Sequence, residues 1–338
     1  MAWIATEMLV LVVGGAGYIG SHTARALRRA GHRVRIYDNL STGHAVLADG
    51  FELMVADIRD SSALRDAMDG VGAVMHFAAH AYAGESVTHP RKYFDNNVSS
   101  ALVLLNAALD SAVRKLVFSS SCAVYGLPSS LPITEQSARA PINPYGASKL
   151  FFENALEAYD RAYGLHSARL RYFNAAGADE SGEIGEIHDP ETHIIPLALQ
   201  AAAGAGPAVQ IYGSDYKTDD GTCIRDYVHV NDLADAHVLA LDRLTATAES
   251  FSVNLGHGWG YSVRQVLSTV KLVTGHSVPS TVAARRPGDP PVLIADTTSA
   301  RQLLGWSARR DLPEIVSTAW KWQQRAPQFL RRELRASA

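Results

Sequence analysis

The chain has 338 residues, 47% hydrophobic and 19% charged, enough to bury one large or two moderate cores. A net charge of −3, with no basic stripe or polybasic run, excludes an electrostatic footprint for nucleic acid or for an anionic membrane surface. Two cysteines, Cys122 and Cys223, exclude a disulfide framework and fit a reducing, cytoplasmic setting.

The N-terminal stretch is apolar but short. It lacks a basic leader, carries Glu7 and runs straight into glycines, so Met8 to Val13 reads as a buried strand and not as a signal peptide or membrane span. Strand-like runs are expected at Leu9–Val13, Val34–Tyr37, Phe51–Val55, Ala73–Phe77, Lys115–Ser119 and Ala168–Tyr172, with amphipathic stretches between them at Ser21–Ala30, Ser62–Met68 and Asn97–Asp110. This is the rhythm of a Rossmann-type, doubly wound parallel α/β sheet covered on both faces. Beyond about Asn174 the rhythm breaks. Residues 175–195 are acidic and loop-like, and prolines and glycines recur at 204–221 and 287–291. The division expected is a nucleotide-binding domain at 1–174 and a smaller mixed α/β substrate domain at 175–338. Tyr227–Leu241 reads as a helix and Phe251–Leu255 as a strand that return to the first domain.

The turn after the first strand, Gly14-Gly15-Ala16-Gly17-Tyr18-Ile19-Gly20, satisfies both Gly-x-Gly-x-x-Gly and Gly-x-x-Gly-x-x-Gly. Glycines there permit a tight turn, close approach of backbone to a pyrophosphate, and close helix–strand packing, while the following helix offers unpaired N–H groups. The bare motif also describes an ordinary glycine loop; its context adds weight. Asp38 ends the second strand eighteen residues past Gly20. A carboxylate there binds ribose hydroxyls and repels a 2′-phosphate, which favours NAD over NADP. Asp57, after the third strand, fits either an adenine contact or a simple helix cap.

Asn143-Pro144 is a helix start, with asparagine as cap and proline as first residue. Tyr145 and Lys149 then share one face of that helix. A phenol of pKa near 10 is a poor base at neutral pH, and lowering it by three units takes roughly 4 kcal/mol of preferential stabilisation. A neighbouring ammonium, a nicotinamide cation and a helix N-terminus all act in that direction. Without its context, Tyr-x-x-x-Lys describes a surface helix. Ser121 ends the fifth strand at the same sheet edge, where a hydroxyl can relay a proton or hold an alcohol, or simply cap a turn. Cys122 reads as a small core residue. The histidines show no zinc-type spacing, so no metal is expected.

The motifs GGAGYIGSH, YDNLSTG, HFAA…GES, YFDNNV, SSSCAVYG, NPYGASK, RYFNAAGA, DGTCIRDYVHVNDLADAH, NLG and RRPGD, spread from about Leu9 to Gln324, resemble those of the extended short-chain dehydrogenase/reductases, specifically the UDP-hexose 4-epimerases. The resemblance implies reversible inversion at C4 of a UDP-sugar through a 4-keto form, with tightly held NAD and a homodimer built on helices near 91–110 and 145–163. It implies Ser121, Tyr145 and Lys149 as the catalytic trio. It places NAD at Gly14, Gly17, Tyr18, Ile19, Gly20, Asp38, Asn39, Asp57, Ile58, Phe77, Ala78, Asn96 and Tyr172, as well as at Tyr145 and Lys149. It places the UDP moiety at Asn174, Arg225, Arg286 and Asp289, with Tyr212 beside the uracil and Leu293 at a position that limits the sugar pocket, unless Leu293 is ordinary core. Two guanidinium groups suit a pyrophosphate.

Two features depart from the glucose/galactose pattern. Ala81 stands where many of those enzymes carry a lysine. The Ala79-His80-Ala81-Tyr82 loop also resembles a branch that includes UDP-xylose/UDP-arabinose 4-epimerases. Nucleotide-sugar dehydratases and decarboxylases are similar, but they carry acidic residues just after the serine, where this chain has Cys122-Ala123. A non-catalytic NAD-binding scaffold of this fold would be expected to lack Tyr145 or Lys149.

Overall fold

The structure is a computed structural model and describes residues 7–286 and 288–336, with side chains described to Ala326. Pro287, inside the Arg-Arg-Pro-Gly-Asp motif, lies outside the described residues.

Seven parallel strands form the central sheet: β1 (Leu9–Val13), β2 (Arg33–Asp38), β3 (Glu52–Val55), β4 (Val71–His76), β5 (Lys115–Ser121), β6 (His166–Tyr172) and β7 (Phe251–Leu255). Their order is β7-β6-β5-β4-β1-β2-β3. The chain runs outward from β1 through β2 to β3, then crosses to β4 on the other side of β1. The carboxyl ends of β1 and β4 therefore flank a topological switch point, where ligands of open α/β sheets bind. β1 reads Leu-Val-Leu-Val-Val and is buried at every residue, as a strand covered on both faces requires.

Helix α1 (Tyr18–Arg29) buries Thr23, Ala26 and Leu27 and packs against α6 (Val230–Thr247) on one face of the sheet. On the other face α2 (Ser61–Ala67), α3 (Ala101–Asp110) and α4 (Pro144–Tyr163) enclose a core of Leu11, Val74, Leu104, Leu116, Phe118 and Phe152. The amphipathic stretch expected from Asn97 is divided: Asp95–Ser100 is a π-helical segment that leads into α3.

A separate core lies beyond the sheet edge. It joins α5 (Ile194–Ala202), α7 (Val263–Thr274) and α8 (Leu312–Ala336) through Ile195, Leu199, Val266, Val270, Ile315 and Val316. Short strands surround it. Val209–Tyr212 pairs with Ser280–Ala283, and Ile224–Arg225 lies between Tyr261–Ser262 and Val292–Leu293. Tyr227–His229, expected as the first turn of a helix, is a strand paired in parallel with Asn174–Ala176. The helix begins only at Val230, because the His229 ring nitrogen accepts the Asn231 N–H and caps it there.

Candidate active site

The glycine turn is shaped by contact. Gly14 has φ +80°, and a Cβ on it would lie 2.5 Å from the Ala78 nitrogen. A Cβ on Gly20 would lie 2.2 Å from the Gly14 oxygen. Gly17 differs: its Cβ would meet only that oxygen, at 3.3 Å. Gly14 and Gly20 thus close the turn, and Gly17 leaves room above it. Gly17 is the N-cap of α1 and offers no side-chain cap, so the first-turn N–H groups remain available to an anion. Tyr18 sends its hydroxyl to the Gly177 oxygen at 2.6 Å, and Ile19 packs into the core.

The acidic positions follow the strand ends. Asp38, buried at the end of β2, accepts the Ala16 and Leu40 N–H groups at 2.9 and 2.8 Å. Burial raises its carboxyl above the usual value, while those two donors act against the rise. Asn39 donates to Asp57 at 2.9 Å, and Arg59 holds the same carboxylate from Nε at 2.8 Å. Asp57 does not cap α2; Asp60 does, accepting from Ser62 and Ala63. Ile58 is buried beside them. Phe77 and Ala78 both donate their N–H to Val13 O, which seats the loop after β4 against the glycine turn. An uncapped helix start, an open face over Gly17 and a carboxylate at the end of β2 fit a dinucleotide with free ribose hydroxyls.

At the same edge, α4 starts as its sequence predicts. The Asn143 side chain accepts the Gly146 N–H at 2.8 Å, and Pro144 follows it. Lys149, buried, donates from Nζ to the Ser119 oxygen at 2.7 Å and lies 5.8 Å from the Tyr145 ring centroid. Ser121 Oγ accepts the Ala123 N–H at 3.1 Å, so its own proton is left for Tyr145 or an alcohol. Burial pushes the Tyr145 phenol up to about 12, opposed by a hydrogen-bonding contribution from Ser121. Burial also lowers the Lys149 ammonium to about 7. Both groups are desolvated, so the lysine is not enough to make the tyrosine basic, in keeping with the expectation that several positive fields must converge there. Bringing the phenol from there to neutrality takes roughly 7 kcal/mol, which calls for further positive charge at the site.

Several supporting residues have no short-range signal in the sequence. Asn97 donates to the His80 oxygen and to Ser148 Oγ, each at 3.0 Å, and accepts the His80 N–H at 2.9 Å. It ties the Ala79–Tyr82 loop to the helix that carries Tyr145. Its neighbour Asn96 donates to it. The Ser119 and Tyr172 hydroxyls are hydrogen-bonded. Glu153, fully buried one turn after Lys149, accepts from Ser120 Oγ at 2.6 Å and from Arg171 Nε and Nη2 at 2.8 and 2.7 Å.

Four of the residues expected around UDP fall in two pairs. Arg225 Nη2 lies 2.5 Å from Asp289 Oδ1, and the Arg286 guanidinium sits 3.9 Å above the Tyr212 ring centroid. Asn174 is held by its backbone N–H to the Asp226 oxygen. Leu293 pairs with Arg225 in the sheet register and packs against the buried cluster of Val124, Tyr125 and Phe173, which follows the Ser121 strand end. Ala81 is exposed.

A glycine turn at the switch point, facing a Tyr-x-x-x-Lys helix across one sheet edge, is the architecture of the extended short-chain dehydrogenase/reductases. Residues 10–256 match the model of the NAD dependent epimerase/dehydratase family. The chain is 49% identical over 321 residues to the UDP-glucose 4-epimerase of Rhizobium meliloti (strain 1021), covering 94% of this chain and 98% of that one. The UDP-glucose 4-epimerase of Brucella ovis, solved in complex with NAD, superposes with a TM-score of 0.91 at 50% identity, over 95% of this chain and 98% of that one. The Stenotrophomonas maltophila UDP-glucose-4-epimerase, solved with NAD and formylated UDP-arabinopyranose, gives 0.92 at 42% identity, over 95% and 99%. The chain belongs to the NAD dependent epimerase/dehydratase family.

Proposed function

We infer that the chain is a UDP-glucose 4-epimerase, an isomerase that interconverts UDP-glucose and UDP-galactose by inversion at C4. The observation that carries this reading is the meeting of Ser121, Tyr145 and Lys149 at the sheet edge that also holds the glycine turn. The long, highly identical relatives support the same activity.

NAD, when bound, would supply hydride acceptance and return at the sugar C4, with no external oxidant consumed. The chain's own residues do the rest. Gly14, Gly17, Tyr18, Ile19 and Gly20 would hold the NAD pyrophosphate at the helix start, Asp38 would take ribose hydroxyls, Asp57 would meet the adenine edge, and Asn39 and Ile58 would stand beside them. Phe77, Ala78, Asn96 and Tyr172 line the remainder. Tyr145 takes the 4-hydroxyl proton and later returns it, while Ser121 donates to the alcohol oxygen. Lys149 lends positive charge to the phenol and to the ribose. Arg225, Arg286, Asp289 and Asn174 hold UDP throughout, with Tyr212 against the uracil, so that the sugar can turn over while its anchor stays fixed.

The protein divides into a nucleotide-binding domain, residues 1–174 with 227–255 returning to it, and a sugar-nucleotide domain, residues 175–338. A homodimer is proposed across residues 91–110 and 145–163; exposed Phe94, Phe151 and Tyr163 on those segments support it. A cytoplasmic location is consistent with two free cysteines, and no helix of the described residues is long and apolar enough to cross a membrane.

A second reading, epimerisation of UDP-xylose and UDP-arabinose, is favoured by the Ala79–Tyr82 loop and by the UDP-arabinopyranose in the Stenotrophomonas relative. Incubation with all four UDP-sugars, followed by product separation, tests both readings. We expect glucose/galactose interconversion without added NAD, and release of NAD(H) when the purified protein is denatured. Accumulation of NADH matching product would make the protein a dehydrogenase instead.

A further inference from the structure

We propose that Glu186, His188, Glu191 and His193 form a binding site for a divalent transition ion of the zinc class, apart from the reacting groups. The four come from one short stretch, Glu-Ile-His-Asp-Pro-Glu-Thr-His, whose spacing gave no expectation of a metal. Folding back at Asp189-Pro190 brings one ligand atom of each to within 4.8 Å of the others.

The separations have the scale of a coordination shell. His188 Nδ1 lies 3.0 Å from Glu186 Oε1 and 3.8 Å from Glu191 Oε2. His193 Nδ1 lies 2.8 Å from the same Glu186 oxygen and 3.0 Å from Glu191 Oε1. A tetrahedral ion with bonds of about 2.0–2.2 Å holds its ligands about 3.3–3.6 Å apart, within that spread. Charge also matches: two carboxylates with two neutral imidazoles balance a dication. Mixed imidazole and carboxylate donors suit zinc and its neighbours better than magnesium or calcium.

The competing arrangement is a plain ion-pair cluster of two imidazolium and two carboxylate groups. That arrangement calls for each ring N–H to have its own acceptor. Here His193 Nδ1 has an acceptor of its own in Glu191 Oε1 at 3.0 Å, yet both rings also turn Nδ1 toward the same Glu186 oxygen, and His188 Nδ1, 3.0 Å from it, makes no well-aligned hydrogen bond among the described residues. An ion at the shared centre would displace the ring protons and take up the two nitrogens that now face Glu186.

The surroundings hold the ligands in place. Glu191 Oε1 accepts the Thr192 and His193 N–H groups, both at 2.7 Å, and Trp322 Nε1 donates to the Glu186 backbone oxygen at 2.9 Å. A cavity of about 160 Å³, walled by Ile187, Leu199 and Trp322, reaches Glu186, His188 and Glu191 and gives an ion room to enter. Tyr82 donates to the Pro190 oxygen at 3.2 Å, and the rings of Tyr82 and Tyr18 lie 5.9 and 6.4 Å from that of His188. An ion here would fasten residues 186–193 between the glycine turn and the loop after β4.

The test is metal binding by the intact protein. Protein purified without metal-affinity resin, then stripped with a chelator, is titrated with Co²⁺ and Zn²⁺. We expect one ion per chain, a tetrahedral Co²⁺ absorption band displaced by Zn²⁺, and a rise in Tm with Zn²⁺. His188→Gln and Glu191→Gln should each lose the band while keeping bound NAD, which reports folding. Crystals soaked in Zn²⁺ should show anomalous scattering among the four ligand atoms; this measurement on the wild type decides the matter even if the variants fail to fold. Absence of stoichiometric binding at micromolar ion, a band that survives both substitutions, or anomalous density elsewhere would overturn the site.

Discussion

Lys149 Nζ donates a 2.7 Å hydrogen bond to the backbone oxygen of Ser119, two residues before the candidate catalytic serine. The ammonium is thereby pinned beneath the strand end, under the Phe118 ring at 5.0 Å, where little water reaches it. The arrangement costs stability in order to place a cation.

That cost depends on pH. Burial lowers the Lys149 ammonium from 10.5 to about 7, so between those values the native state binds fewer protons than the unfolded chain. Stability from this site therefore rises as pH rises through that window and is lowest below it. In protein stripped of nucleotide, Lys149→Met should gain on wild type near pH 6, and the difference should narrow by about 2–3 kcal/mol by pH 9. Urea unfolding at the two pH values measures it, and a difference independent of pH would refute the buried ammonium.

Tyr145→Phe removes the phenolic proton carrier and leaves the glycine turn and Asp38 untouched. Turnover should fall by about 10²–10⁴-fold while bound NAD is retained. Near wild-type turnover would exclude Tyr145 as the base.

Glu153 and Arg171 form a fully enclosed ion pair beneath Ser120. Burial opposes ionisation of Glu153, but the Arg171 hydrogen bonds hold its carboxyl below the usual range. Glu153→Gln leaves the guanidinium buried without its counter-charge and should cost about 3–5 kcal/mol in denaturant unfolding. A loss near zero would mean that water reaches Arg171 in the native state.

Leu293, paired with Arg225 and packed against the Val124 and Tyr125 cluster, is the residue proposed to restrict the sugar pocket. Leu293→Ser should relieve a steric penalty of roughly 1–3 kcal/mol against a 2-acetamido group. The kcat/KM ratio of UDP-N-acetylglucosamine to UDP-glucose should rise accordingly, with some loss of stability from the vacated volume. An unchanged ratio in a folded variant would show that Leu293 only packs.

What the sequence makes legible follows from range. β1 is readable residue for residue because a short unbroken Leu/Val run that stops at a glycine turn has few alternatives. Asn143-Pro144 marks the start of α4 because cap and first residue are adjacent. The Tyr227–His229 strand reads as helix because nothing nearby reveals its partner, Asn174–Ala176. The roles of Asn97 and Glu153 depend on His80, Ser148 and Arg171, and no local pattern carries such pairings. Tyr145 and Lys149 can be placed on one face, but their opposite pKa shifts come from burial by the whole fold.

The sheet's last strand is made late. β7 comes from residues 251–255 yet completes the edge beside β6, whose Ala168 and Leu170 have no exposed surface in the finished fold. Until residue 255 has been synthesised, that edge presents unpaired backbone groups next to apolar side chains, a template for sticking to another nascent chain. A chain cut short before residue 251 would therefore be an aggregation hazard, however complete its glycine turn and tyrosine helix.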